Sequence, residues 1–351
     1  MNIEPQRLRD FSSRIFESLG TTPERAAMVA GHLVDANLKG HDSHGVGMIP
    51  NYVYGAKQGH LRVNNDASLV QDRGAVLLTD GQQGFGQVVG RQAMDMGIER
   101  VRQTGMVCVG SRNNYHLGRI GAYGEQCAAE GLVSIHFVNV VGHPPFVSPW
   151  GGRDKRMQTN PFCCAVPTDG EPILLDMATS AIALGKVRVA QMKGVPVPEG
   201  SVFDAAGRPS TDPGVVYDGG SLGPFGQHKG YGLALICELL GGGLAGEWTM
   251  QDVAKQQDMT INHMLTFILD PDLFGGQAGF AREVAGMSTW LRESAPAEGV
   301  DRVRLPGDPE RESLAERQAE GIPIDDQSWA AICTAAEKAG LSSAEIQGLT
   351  Q

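Results

Sequence analysis

A strand–helix–strand pattern between residues 75 and 111 constrains the fold of this chain more than any other stretch. Residues 75–80 form an apolar run of strand length. Residues 87–103 place Met94, Ile98 and Val101 on one helical face, and Met106–Ser111 is a second strand. A short helix follows from about Gly121 to Glu130. Further strands are predicted at 133–140, where Val133, Ile135 and Phe137 alternate, at 162–167, 172–177 and 265–269. The chain is therefore a mixed α/β protein, and its 351 residues suffice for a large core and two domains.

Helices flank this centre. Leu8, Phe11, Ile15, Phe16 and Leu19 share one face of a first helix ending at Gly20. Thr22-Pro23-Glu24 opens a second, which turns Ala26, Val29, Ala30 and Leu33 inward and stops at Gly40. Residues 195–227, rich in Pro and Gly, read as loops around short strands. A buried helix is predicted over Gly230–Leu240 with Gly241-Gly242-Gly243 as its C-cap, and Asp325 or Asp326 should cap the helix that ends near Gly340.

A net charge of −11 argues against nucleic-acid partners, which require basic surfaces. The six cysteines show no Cys-x-x-Cys spacing and read as reduced core fillers. No signal-peptide pattern and no run of 18 apolar residues occurs, so a cytoplasmic protein without membrane contact is expected.

Gly84-Phe85-Gly86-Gln87-Val88-Val89-Gly90 follows a strand and opens a helix. That context suits a dinucleotide-binding turn, and Ser111-Arg112 at the end of the next strand would suit a 2′-phosphate. Against it, Asp80-Gly81-Gln82-Gln83 lengthens the turn beyond what such a site tolerates. A plain chain reversal is the other reading.

Gly40-His41-Asp42-Ser43-His44-Gly45-Val46-Gly47-Met48-Ile49-Pro50 carries the densest chemistry. His44 could serve as a proton donor. His41, Asp42 and His44 could bind a metal, although no further ligand is evident nearby. Ser43 beside His44 could be a nucleophile, although sequence neighbours seldom aim at each other. Asn113-Asn114-Tyr115-His116, followed by Leu117–Gly121, places a second histidine among groups suited to an anion at a helix start. His228-Lys229-Gly230 is a third such element. His32, His60, His136, His143 and His263 read as structural.

Together these segments resemble the type-2 malate/L-lactate dehydrogenase family. The matching motifs are His41–Gly45, Asn114–Gly118, Gln158-Thr159-Asn160-Pro161, Leu175–Ser180, His228–Gly232 and Leu305-Pro306-Gly307. Gly45–Pro50 and Gly118–Gly121 are most similar to the hydroxycarboxylate dehydrogenase branch. The resemblance implies an L-sulfolactate/malate dehydrogenase-like α/β fold with a non-Rossmann NAD(P)-binding domain (119–284). It also implies a largely helical second domain (1–118 with 285–351) that carries the proton donor. Gly84–Gly90 then becomes a structural turn.

It further implies a homodimer that uses NAD or NADP to pass a hydride between the nicotinamide and a 2-oxo acid or its 2-hydroxy product. His44 would give the proton with Ser43 as partner, and His116 would lie close to the substrate. Cofactor contacts are implied for His44, Gly118, Arg119, Ile120, Leu174, Leu175, Asp176, Met177, Ala178, His228, Lys229, Asn262, Gly307, Asp308, Pro309 and Glu310, and no metal is implied. Relatives that reduce cyclic or N-substituted imino acids make imine reduction an alternative; a His/Asp metal-dependent hydrolase is one from another class. Met48 stands where many relatives place a carboxylate-gripping arginine. Arg119 or Arg156 would have to take over, or the substrate carries a larger apolar side chain. Aryl-pyruvates and 2-oxoglutarate are the candidate substrates.

Overall fold

The computed structural model describes residues 1–350 apart from 253–254 and 256–258. Its strands are β1 (Asn2–Ile3), β2 (Ser68–Asp72), β3 (Val76–Asp80), β4 (Met106–Tyr115), β5 (Val133–Val141), β6 (Phe162–Val166), β7 (Ile173–Met177), β8 (Val202–Phe203), β9 (Pro209–Ser210), β10 (Ser221–Leu222), β11 (Ile261–Leu269) and β12 (Ile322–Pro323). Its α-helices are α1 (Pro5–Glu17), α2 (Pro23–Leu38), α3 (Ile49–Gln58), α4 (Gly86–Thr104), α5 (Gly121–Ala128), α6 (Leu184–Lys193), α7 (His228–Cys237), α8 (Gln277–Arg292), α9 (Asp308–Glu320), α10 (Asp326–Ala339) and α11 (Ser343–Thr350).

Seven strands form the central sheet in the order β2-β3-β4-β11-β5-β6-β7. Only β3 and β4, joined through α4, run parallel; every other neighbouring pair is antiparallel. A Rossmann sheet is built from parallel strands with crossover helices, so this sheet is of another kind. It is also continuous across residues 118/119, since β4 on one side of that point pairs with β11 on the other.

The glycines of the 84–90 turn serve packing. A Cβ on Gly86 would lie 2.2 Å from the carbonyl oxygen of His116, and one on Gly90 would lie 2.8 Å from the rings of Tyr123. They let α4 sit directly on the end of β4, which leaves no room for a phosphate.

One apolar core joins α1, α2 and α3 to the C-terminal helices through Leu8, Phe11, Leu33, Ile49, Tyr52, Ile332 and Ala336. A second lies between the sheet and helices α4 and α5, with Met94, Ile98, Val109, Tyr123 and Met264. A third, around Val147, Val187, Val202 and Leu222, supports the small β10-β8-β9 sheet. The two capping expectations at Thr22 and Asp325 agree with the structure. Thr22 Oγ1 accepts from Arg25 N, and Asp325 accepts from Ser328 N at 2.9 Å.

Two local expectations change. Gly241–Gly243 does not cap the helix, because α7 continues as a π-helical stretch over Glu238–Gly246 and ends at Glu247 in a left-handed conformation (φ 55°). These glycines instead let the stretch lie on strand backbone: a Cβ on Gly241 would be 2.9 Å from the Phe137 carbonyl oxygen. On β5, Val133, Ile135 and Phe137 are only half-buried. The opposite face, with Ser134, His136 and Val138, is fully buried. That face tolerates polar groups because they satisfy one another: His136 pairs with Thr266 Oγ1 and Ser134 Oγ, both at 2.9 Å.

Candidate active site

The His41–His44 segment leaves α2 through Gly40 (φ 80°) and makes two short 3-10 turns, Asp42–His44 and Val46–Met48, before entering α3. Buried Asn37 of α2 fixes this path. Its Oδ1 accepts from Val46 N at 2.8 Å, and its Nδ2 donates to Asp42 Oδ1 at 2.7 Å. A Cβ on Gly45 would fall 2.1 Å from Asn37 Oδ1. The Gly45→Ala variant is therefore expected to lose roughly 1–3 kcal/mol of stability, measured by urea unfolding.

From α9, Arg317 donates to Asp42 Oδ1 at 2.6 Å, and Glu310 meets His41 Nε2 at 3.2 Å. With its outer residues pinned in this way, the segment turns His44 inward. Ser43 Oγ and His44 Nδ1 lie 2.9 Å apart, so these sequence neighbours do meet, contrary to the general expectation. The His44 ring stacks on His116, with centroids 5.7 Å apart and planes 19° apart.

His116 follows β4 and is held by helices distant in sequence. Its Nδ1 lies 2.7 Å from Tyr52 Oη of α3, and Gln87 Nε2 of α4 donates to Tyr52 Oη at 2.7 Å. Burial pushes His44 down to about 4, helped by the charges of His41 and Arg119. Burial and the neighbouring His44 hold His116 well below the ordinary histidine range. Both rings are thus neutral at neutral pH.

The other segments converge through their backbones. Gly121 N, at the start of α5, donates to Asp176 Oδ2 at 2.7 Å, and Leu174 N donates to Pro306 O at 3.1 Å. Phe225 N donates to Thr179 O at 3.0 Å, which ties the 228–229 segment to the end of β7. The structure thus ties segments 118–121 and 174–178 to each other directly and brings the loops that precede 228 and 307 against β7 and its end, while the His41–Glu310 contact joins α9 to the histidine segment.

Asn262 stands apart. It is buried, its Oδ1 accepts from Leu117 N at 2.8 Å and its Nδ2 donates to Asn139 O at 2.9 Å. Its amide holds the chain just after His116. Asp308 is engaged with Arg311, Arg292 and Leu305 N at the start of α9.

The metal reading loses its ligand set, because His41, Asp42 and His44 point to Glu310, Arg317 and Ser43 respectively. Among the described residues, no three His, Cys, Asp or Glu side chains are grouped to hold an ion. Neither candidate replaces an arginine at Met48. Arg119 is buried and pairs with Asp35 and Glu125, and Arg156 is exposed and pairs with Asp154. Met48 itself packs, partly buried, against the helical core.

Sequence reasoning missed Tyr52, Gln87, Asn37 and Arg317. Only Asn37 had a usable signal, as a polar residue four positions after Leu33 on the inward face of α2.

Comparison with known proteins places the whole chain. Hydroxycarboxylate dehydrogenase B of Escherichia coli (strain K12) is 47% identical over 353 residues, covering 99% of this chain and 97% of that protein. The structure of sulfolactate dehydrogenase from Methanocaldococcus jannaschii superposes with a TM-score of 0.88 at 32% identity, covering 98% of this chain and 99% of the other. That of delta1-piperideine-2-carboxylate reductase from Pseudomonas syringae pvar. tomato gives 0.82 at 31% identity, covering 95% and 99%. The family model for malate/L-lactate dehydrogenase matches residues 3–333, and the chain belongs to that family of pyridine-nucleotide-dependent oxidoreductases.

Proposed function

We propose that this enzyme reduces 2-oxo acids to 2-hydroxycarboxylates with NADH or NADPH. The observation that carries this reading is the stacked pair of neutral imidazoles, His44 and His116. Each is anchored at Nδ1, and among the described residues no hydrogen bond reaches either Nε2.

The residues present suit a dinucleotide. At the start of helix α7, Lys229 N and Gly230 N already donate to Gly226 O and Phe225 O, so it is the exposed side chains of His228 and Lys229 that are available to a phosphate there. The buried Arg119 also keeps Nη1 without a partner. Gly118–Ile120, Leu174–Ala178, His228, Lys229 and Gly307–Glu310 would hold the cofactor. When bound, it supplies the hydride. His44, neutral at rest, takes up a solvent proton when the anionic substrate binds and passes it from Nε2 to the developing alkoxide, while Ser43 holds its Nδ1; general acid help of this kind is worth ~10²–10⁴ in rate.

Met48 supports aryl-pyruvates over 2-oxoglutarate, because it offers an apolar surface and no charge to a second carboxylate. Imine reduction is the second reading, favoured by the likeness to delta1-piperideine-2-carboxylate reductase. The same proton and hydride chemistry serves a C=N bond.

We also read the enzyme as a cytoplasmic homodimer with a mixed helical and α/β unit (1–118 with 285–351) and a cofactor unit (119–284), the two sharing the central sheet, since β2–β4 fall in the first and β5–β7 and β11 in the second. Six free cysteines suit a reducing compartment. Among the described residues, no helix is long and apolar enough to cross a membrane. Exposed Leu235, Ile236, Leu239 and Leu244 on α7 and its π-helical extension suit a subunit contact.

Titration with NADH and NADPH, followed by nicotinamide fluorescence, tests cofactor use; silence with both would sink this reading. A screen of 2-oxo acids and cyclic imines by NAD(P)H oxidation then separates the two substrate classes. Lys229→Ala is expected to weaken cofactor affinity roughly 10-fold, the loss of one charge-assisted phosphate contact, with little change in kcat.

A further inference from the structure

The hydrogen bonds behind His116 decide where its proton sits. Gln87 Nε2 lies 3.2 Å from the His116 carbonyl oxygen, which can only accept, so this end of the amide is the NH₂ group. The same NH₂ donates to Tyr52 Oη at 2.7 Å. Tyr52 must then place its own proton elsewhere. Two acceptors are within reach: His116 Nδ1 at 2.7 Å, and the His116 carbonyl oxygen at 3.5 Å, the outer limit for such a bond. The shorter contact takes the proton. Burial keeps the phenol protonated, pushing Tyr52 further above its ordinary range. A neutral imidazole that accepts at Nδ1 carries its hydrogen on Nε2.

We infer that Tyr52 is a positioning residue that locks His116 as the Nε2–H tautomer, so that His116 donates a hydrogen bond to the substrate oxygen while His44 delivers the proton. The second half of this statement rests on the proposed reductase activity; the tautomer does not.

In the reduction, a C–H bond forms at C2 with the incoming hydride, and the carbonyl π pair moves onto oxygen. That oxygen takes the proton from His44 Nε2 in its imidazolium form, which the resting neutral ring reaches by taking up a solvent proton once the anionic substrate is bound; the Nε2–H bond breaks and the ring returns to neutral. His116 keeps its hydrogen throughout and acts as a preorganised donor toward the growing charge. The stacking favours this division, because two imidazolium ions with centroids 5.7 Å apart would repel.

The test reads the ring nitrogens of histidine by heteronuclear NMR in the cofactor-free protein at neutral pH. The wild type is expected to show His116 protonated at Nε2 and bare at Nδ1. Tyr52→Phe keeps the ring against Phe16, Phe85 and Tyr115 but removes the hydroxyl. It should give a mixture of tautomers and lower kcat roughly 10-fold, with KM much less affected. A wild-type His116 protonated at Nδ1, or a tautomer unchanged in Tyr52→Phe, overturns the inference.

His116→Gln keeps a neutral N–H donor and is expected to retain activity within roughly 10-fold, whereas His44→Gln loses ~10²–10⁴. Equal losses would overturn the division of labour. If Tyr52→Phe fails to fold, the wild-type spectrum and the two glutamine variants still decide the matter. If no oxo acid or imine is turned over, the functional reading fails, while the spectrum still judges the tautomer.

Discussion

His44→Ala should lower kcat by ~10²–10⁴ while changing the dissociation constant for NAD(P)H only a few-fold. The loss reflects a missing general acid, because the imidazole is the polar group that Ser43 orients toward its stacked partner. The segment around it should persist without the ring. Asn37, Arg317 and Glu310 hold Val46, Asp42 and His41 through hydrogen bonds that do not involve the His44 ring. The backbone carrying the cofactor candidates is likewise pinned independently, by Asp176 on Gly121 N and by Pro306 O on Leu174 N. Single-turnover rates with saturating NAD(P)H and fluorescence titrations separate the two quantities. A parallel loss of turnover and cofactor affinity would show that His44 works mainly in binding.

Much of this site was legible because its chemistry is carried by segments with local signals. The Gly40 stop of α2, the histidine-rich turn after it and the polar run ending at His116 can each be read within about a dozen residues. The helical faces of α1 and α2 were equally readable, since Leu8, Phe11, Ile15 and Leu33 follow the helical period and are fully buried. What escaped depends on distance in sequence. Tyr52 and His116 are 64 positions apart, and on α3 Tyr52 reads simply as a core residue on the inward face with Ile49 and Val53. Gly84, Gly86 and Gly90 were ambiguous for the opposite reason. Their local pattern suits a phosphate, and only the position of β4 and Tyr123 shows that protein atoms fill the space. The π-helical extension of α7 could not be read either, because glycines that end a helix and glycines that let it lie on a strand are identical in sequence.

Acid should unfold this protein early, because several histidines are buried without charge. Burial holds His32, His136 and His263 at about 3 and His44 at about 4, and it holds His116 lower than the ordinary range as well. Above pH ~6.5 these groups are neutral in both folded and unfolded chains and contribute no pH dependence. Between pH ~6.5 and the folded-state values, the unfolded chain binds protons that the native one refuses, so stability falls as the pH falls. Each histidine contributes up to ~1.4 kcal/mol per pH unit inside that window, and the contributions add where the windows overlap. The slope between pH ~6 and ~4 should therefore reach several kcal/mol per unit, enough to exhaust the ~5–15 kcal/mol typical of a folded domain. Urea midpoints measured at intervals from pH 7.5 to 4.5 should drop steeply, and a flat profile would contradict the burial of neutral rings. His136→Gln offers a direct check. Its amide can still reach the Thr266 and Ser134 hydroxyls but cannot titrate, so the slope should soften by about one proton while the plateau near neutral pH changes less.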